Sequence, residues 1–256
     1  MICANRNLNN QKVIAYKTLK NEGPFYCPIC KEAVILRKGT IKVHHFAHRP
    51  PVKCKYGMGE KEIHRKIKTS IYEELMKNSQ IKKCELERNL GDLIPDISYM
   101  INNTYIAIEV QISNLSINEI ISRTKKYANK NIHVLWLSDF NSKLEHEAYS
   151  LKAWEKWVHA TYYGRVYYWI DKLNLIPIHF SDYYNYIEAK EWYNQYGDLQ
   201  TAGGYHIISK RYKIPKKGNI VNIIDDFKPK LKEAWSGGYI NTPECKIIID
   251  KNQKWW

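Results

Sequence analysis

Long apolar runs are missing from this 256-residue sequence. No stretch approaches the roughly 18 consecutive apolar residues of a membrane-spanning helix, and Met1-Ile2-Cys3-Ala4-Asn5-Arg6 opens no apolar run of signal-peptide length. The expectation is a cytoplasmic protein with no membrane partner. No internal repeat or low-complexity segment stands out, which sets repeat arrays aside. Acidic residues are scarce at both ends: residues 1–58 carry 2 against 11 basic ones, and residues 201–256 carry 5 against 11. Residues 59–150 balance at 13 against 13, so the net charge of +14 flanks a neutral middle, a distribution that suits a protein holding a polyanion. The length is enough to bury a substantial core in one to two domains, with small appendages.

In a reducing compartment the 6 cysteines are not expected to form a disulfide framework. Cys3, Cys84 and Cys245 have no local partners and read as small hydrophobes. Cys27-Pro28-Ile29-Cys30 reads instead as a metal knuckle. Behind it come two strand-like segments, 33–37 and 41–45, turning at Lys38-Gly39-Thr40. His44-His45-Phe46-Ala47-His48 follows, then Cys54 after two prolines. Structural zinc takes four nitrogen or sulfur ligands in a closed tetrahedron and can replace the core that about 50 residues cannot supply. Cys27, Cys30 and His48 take three places, and the fourth falls to Cys54 or to His45. With every position filled by protein, such a zinc serves folding and DNA grip rather than catalysis.

The middle of the chain reads as helix, three strands, helix, strand. Ile63, Ile67, Ile71 and Leu75 make the apolar stripe of a helix over 60–77, and Glu60 and His64 project within that stripe with Lys68 at its margin. A core histidine satisfied by a backbone group accounts for His64 as well as a catalytic role does. A strand over 83–88 precedes a hairpin folded about Asn102-Asn103, residues suited to positive φ. That register puts Asp96 opposite Glu109. Directly opposed Cβ atoms lie about 4.5–5.5 Å apart. Two carboxylates so placed repel unless a proton or divalent cation sits between them, and Mg²⁺ (or Mn²⁺) is the expected occupant. Ser116 with Glu119 forms a capping box for the second helix, on which Ile120, Arg123 and Tyr127 share a face. Residues 132–137 then read as a buried strand.

This order, αβββαβ, with Pro95-Asp96 in the second strand and Ile108-Glu109-Val110-Gln111-Ile112-Ser113 in the third, resembles the PD-(D/E)xK nuclease core. Together with the Cys27-to-Cys54 module, Glu60, His64, Lys68, Arg123-Thr124 and Tyr127, the chain resembles the competence protein CoiA family over about residues 20–140, and more faintly over 164–180. The resemblance implies an α+β fold with a restriction-endonuclease-like mixed-sheet core. It also implies a metal-dependent deoxyribonuclease acting on DNA in transformation or recombination, with recombination proteins as possible partners. Asp96 and Glu109 become Mg²⁺ ligands and Glu60 a third acid. The position two after the last acid is usually Lys and here is Gln111, whose amide brings no positive charge; Lys68 or His64 could supply it. Arg123 becomes a phosphate-contact candidate.

The expected divisions are a zinc-binding β module at 1–58, the nuclease-like core at 59–140, and an aromatic-rich C-terminal region at 141–256. The last comprises a helix from Leu144 to about Ala160, a hairpin of strands 165–170 and 175–180, a short helix near 220–234, and a basic tail. Lys210, Arg211, Lys216 and Lys217 are its nucleic-acid-binding candidates. Tyr162, Tyr163, Tyr167, Tyr168 and Trp169 fit sheet packing better than base stacking. Gln111 keeps a second class open: a DNA-binding recombination accessory factor without turnover. A mobile-element or defence nuclease of the same fold is a third setting.

Overall fold

A computed structural model describes residues 1–6, 11–54, 56–57, 59–237 and 240–252. It is a mixed α+β architecture with few helices. The first part is an antiparallel sheet of β1 (Cys3–Arg6), β2 (Gln11–Ile14), β3 (Phe25–Tyr26), β4 (Ala33–Arg37) and β5 (His45–His48), in the order β2-β1-β3-β4-β5. The last strand starts later than the expected 41–45 segment: His45 is the residue opposite Arg37, and residues 38–44 are the connection. Phe46 and His48 therefore share one face of β5, and His45 and Ala47 the other. Phe46 is buried, its ring 5.1 Å from that of Phe25.

Helix α1 (Glu62–Lys77) buries Ile67, Ile71 and Leu75, as the apolar stripe predicts, along with Arg65 and Lys68. Glu60 lies just before it. Strands β6 (Lys82–Leu86), β7 (Ile97–Ile101) and β8 (Thr104–Val110) follow. Asn102 and Asn103 take φ of 46° and 60°, the two left-handed positions of a type I′ turn, and the ladder runs from Ile101↔Thr104 to Ile97↔Ile108. Helix α2 (Ile117–Asn129) begins at the Ser116–Glu119 capping box. Strand β9 (Ile132–Asp139) lies parallel to β8 and is apolar along most of its length, as a strand covered on both faces must be.

The sheet continues past residue 140. After β10 (Tyr149–Ser150) and α3 (Ala153–Thr161), strand β11 (Val166–Asp171) pairs parallel with β9 and antiparallel with β12 (Asn174–Ile187). A small ribbon of β13 (Lys190–Tyr193) and β14 (Leu199–Ala202) precedes β15 (Tyr205–Lys217), which pairs with β12. Next come β16 (Val221–Asn222), β17 (Phe227–Lys232), β18 (Trp235–Gly237), β19 (Ile240–Thr242) and β20 (Cys245–Asp250). The last of these joins β9 at Ile247↔Val134 and carries β17 on its side. Trp154, Tyr168 and Ile247 consequently belong to the same buried cluster as Ile67, Ile108 and Trp136, so residues 141–256 share a core with the middle of the chain.

Three C-terminal expectations need correction. The helix expected from Leu144 is confined to α3, because Tyr149 and Ser150 pair with Lys213 and Tyr212. The short helix near 220–234 is strand instead: Pro229 cannot donate a ladder hydrogen bond, and it is tolerated in β17, whose described partner is β20 alone. The basic segment 210–217 is ordered strand, not a tail. Tyr162, Tyr167 and Tyr168 are fully buried, in accord with packing, while Tyr163 is exposed beneath Lys230 and Lys232. Further exposed rings include Tyr184, Tyr186 and Tyr205, where β12 and β15 run on toward the small ribbon, and Trp192, Tyr193 and Tyr196 in the ribbon itself. Among the described residues, no helix is long and apolar enough to cross a membrane.

Candidate functional site

Two constellations of chemical side chains stand out, one in the N-terminal sheet and one beneath α1. In the first, the ligand atoms of Cys27, Cys30, His48 and Cys54 lie within 4.8 Å of one another. The knuckle is held by its backbone: Ile29 N donates to Cys27 Sγ at 3.4 Å, and Lys31 N donates to Cys27 O at 3.1 Å. Lys31 takes φ of 63° to close the turn. His48 Nε2 lies 3.3 Å from Cys30 Sγ. Cys54, not His45, completes the set. His45 sits an odd number of residues from His48 and so on the other face of β5, where its Nδ1 is 2.9 Å from Val43 O. Burial pushes the Cys27 thiol up to about 12 although the backbone N–H groups of Cys30 and Ile29 pull it down, and a bound cation is what would reverse that cost. Three sulfurs and one nitrogen in a closed group suit a structural metal such as zinc.

The second constellation lines a cavity of about 240 Å³ whose polar wall is Glu60, His64, Lys68, Glu87, Asp96 and Gln111. Lys68 is 2% exposed. Its ammonium donates to Glu87 at 2.5 Å, pairs with Glu60, and lies 3.7 Å from Asp96. His64 Nε2 meets Asp96 Oδ2 at 2.9 Å. Burial alone would raise all three acids. Instead Lys68 holds Glu60 down to about 2, His64 and Lys68 hold Asp96 down to about 2, and Lys68 lowers Glu87. Reciprocally, and against burial, Asp96 raises His64, and the three acids raise Lys68. The cavity is thus an ionised network containing its own cation.

Glu87 escapes a sequence reading. Continued alternation would turn it away from buried Leu86, but its φ of 48° breaks the period and turns it inward. There it accepts from Ile2 N at 2.8 Å, Cys3 N at 2.9 Å and Tyr56 Oη at 2.8 Å, as well as from Lys68. The carboxylate joins the N-terminal sheet to the cavity. None of these partners is local in sequence, so no short motif announces it.

Glu109 is placed differently from Asp96. The ladder ends at Ile97↔Ile108, and Asp96 then accepts from Val110 N at 2.9 Å through Oδ2, which turns its carboxylate toward α1. The Glu109 carboxylate turns to α2, taking Arg123 Nη2 at 2.5 Å and the Tyr127 hydroxyl. Burial pushes Glu109 up to about 7; Arg123 opposes this and the charge of Asp96 adds to it. Arg123 is therefore in an ion pair and stacks 5.4 Å from the Trp136 ring. Gln111 lines the cavity and donates through Nε2 to Ser113 O at 2.9 Å. Glu60, Asp96 and Glu109 do not converge on a common point: among the described residues, the Cys₃His group is the one set of three or more such donors close enough to share an ion. Lys210, Arg211, Lys216 and Lys217 are exposed along β15, with Lys217 paired to Glu145 at 3.0 Å.

Comparison with protein families matches residues 8–57 to the competence protein CoiA N-terminal domain and residues 60–188 to the competence protein CoiA nuclease-like domain. No curated protein and no solved structure matches the chain. The two family matches run consecutively, the first across the Cys₃His module and the second across the cavity-bearing sheet, and together they cover well over half of the sequence. The chain belongs to the competence protein CoiA family.

Proposed function

We propose that the protein is a metal-dependent deoxyribonuclease acting in transformation or recombination, with phosphodiester hydrolysis centred on the cavity beneath α1. The observation that carries this reading is the Asp96 carboxylate, ionised and turned into that cavity beside His64 and Lys68. Glu60, Glu87 and Asp96 offer the oxygen donors that a hard cation prefers. Mg²⁺ or Mn²⁺ would be held by Asp96 and Glu60; Glu109, which faces Arg123 and Tyr127 in this structure, would have to turn from α2 to join them as the third acid, and a nearby divalent charge would favour ionising a carboxyl that burial holds near 7. Such an ion supplies an activated water and offsets charge on the scissile phosphate. Lys68 contributes the positive charge that the Gln111 amide lacks, and His64, oriented by Asp96, is placed to move a proton. The Cys₃His module would hold zinc and present DNA to the cavity, with Lys210, Arg211, Lys216 and Lys217 on the phosphate backbone.

A second reading, a DNA-binding accessory factor without turnover, is favoured by one observation: Lys68 already neutralises the acids that an ion would need. Linear, circular, single-stranded and branched DNA incubated with Mg²⁺ or Mn²⁺ separates the two. The nuclease reading expects cleavage by the wild type and a loss of roughly a hundredfold or more in Asp96→Asn and Glu109→Ala. Cleavage retained by both variants would refute the site. Tight binding with no cleavage by any form would favour the accessory factor.

A further inference from the structure

A second cleft, of about 430 Å³, opens between the N-terminal sheet and the start of α1, lined by Arg37, Gly39, Thr40, Ile41, Lys42, His45 and Arg65. Three of those seven residues, Arg37, Lys42 and Arg65, are cationic and none is acidic. Arg37 and Lys42 are exposed. His45 belongs to this cleft because it stands on the face of β5 away from the metal ligands. Arg65 is 9% exposed, and its Nη1 donates to Glu60 O at 2.7 Å, so the floor of the cleft touches the backbone of a residue that lines the acid cavity. Arg65 Nε is buried and makes no hydrogen bond among the described residues, while Nη1 also lies 3.6 Å from Glu60 Oε2. A basic recess with an unsatisfied guanidinium nitrogen, one residue away from a cavity of carboxylates, has the chemistry to accept a phosphodiester.

We infer that this cleft is a phosphate-backbone site, holding the nucleic-acid strand that the acid cavity acts on, with Arg37, Lys42 and Arg65 as its contacts. The inference rests on the DNA-acting reading above and adds a location for the strand on the module's side of α1, besides the basic side chains along β15. The rim at Gly39 is open space, since a Cβ there would meet nothing within 4 Å.

The test is binding, measured apart from cleavage. Fluorescence anisotropy of a labelled oligonucleotide, single-stranded and duplex, is followed against salt in the Asp96→Asn background. The double substitution Arg37→Glu/Lys42→Glu changes exposed residues only, and metal content with far-ultraviolet circular dichroism reports whether the fold survives. Its control is Lys82→Glu/Lys156→Glu, an equal charge change at two exposed residues away from the cleft. The expected result is a Kd at least about tenfold weaker and a salt slope shallower by about 2 for duplex, with the control much closer to the parent. Equal losses in the two doubles, or an unchanged Kd and slope in the cleft double, would overturn the site. Failure of the protein with Asp96 intact to cleave DNA, with these binding differences present, would count against the nuclease reading and leave the cleft standing.

Discussion

The two polar centres of this molecule solve the cost of burial in opposite ways. The Cys₃His group gathers four donors that make no ion pair among the described residues, and its most buried thiol is pushed up to about 12. The cavity beneath α1 gathers three carboxylates around Lys68, and its acids are held low. The first is incomplete without a cation from outside. The second is complete without one, so an incoming divalent ion must share its ligands with an ammonium. Structural metal and catalytic metal thus call for different experiments: stability for the one, competition for the other.

Removing ligands from the Cys₃His group gives the largest expected effect. Cys27→Ala should abolish binding of about one equivalent of zinc and unfold the N-terminal sheet, because small structural sites supply folding energy outright. Elemental analysis and limited proteolysis would show it, and a metal-free protein with that sheet intact would break the contrast. Next comes Lys68→Met. Stripping the ammonium from Glu60, Glu87 and Asp96 leaves buried charge unpaired and should cost about 3–5 kcal/mol by urea denaturation.

The pH dependence is smaller and carries opposite signs in neighbouring groups. Asp96 falls from 3.8 to about 2 on folding, so its stabilisation is present above the unfolded value and is lost as the pH drops toward 2. The difference between wild type and Asp96→Asn should shrink over that window by about 2 kcal/mol. Glu109 rises from 4.5 to about 7, so its contribution is present in acid and is lost as the pH climbs through 7. Glu109→Gln should flatten the fall in stability between about pH 4.5 and 7. The smallest effect belongs to His45→Ala, which should keep its zinc; loss of the metal would return His45 to the ligand set.

Local signals carried much of this arrangement. The Asn102-Asn103 turn sets the hairpin register, the Ser116–Glu119 box sets the phase of α2, and the knuckle spacing marks Cys27 and Cys30. That phase also explains Arg123 and Tyr127, four apart on one face and both reaching Glu109. What stayed hidden depends on distant partners or on a single dihedral angle. Glu87 faces inward through one positive φ, and β20 finds its place only by pairing Ile247 with Val134. The hairpin register predicts the opposition of Asp96 and Glu109, but a side chain capping the end of the strand is invisible to register, and it sends the two carboxylates to different helices.

Mn²⁺ titration followed by electron paramagnetic resonance, on zinc-loaded protein with an oligonucleotide present, tests the acid cavity most directly. One divalent site that vanishes in Asp96→Asn while zinc content stays unchanged is the expected result. A manganese site that survives that substitution, or no site in the wild type, would contradict a metal-dependent centre beneath α1.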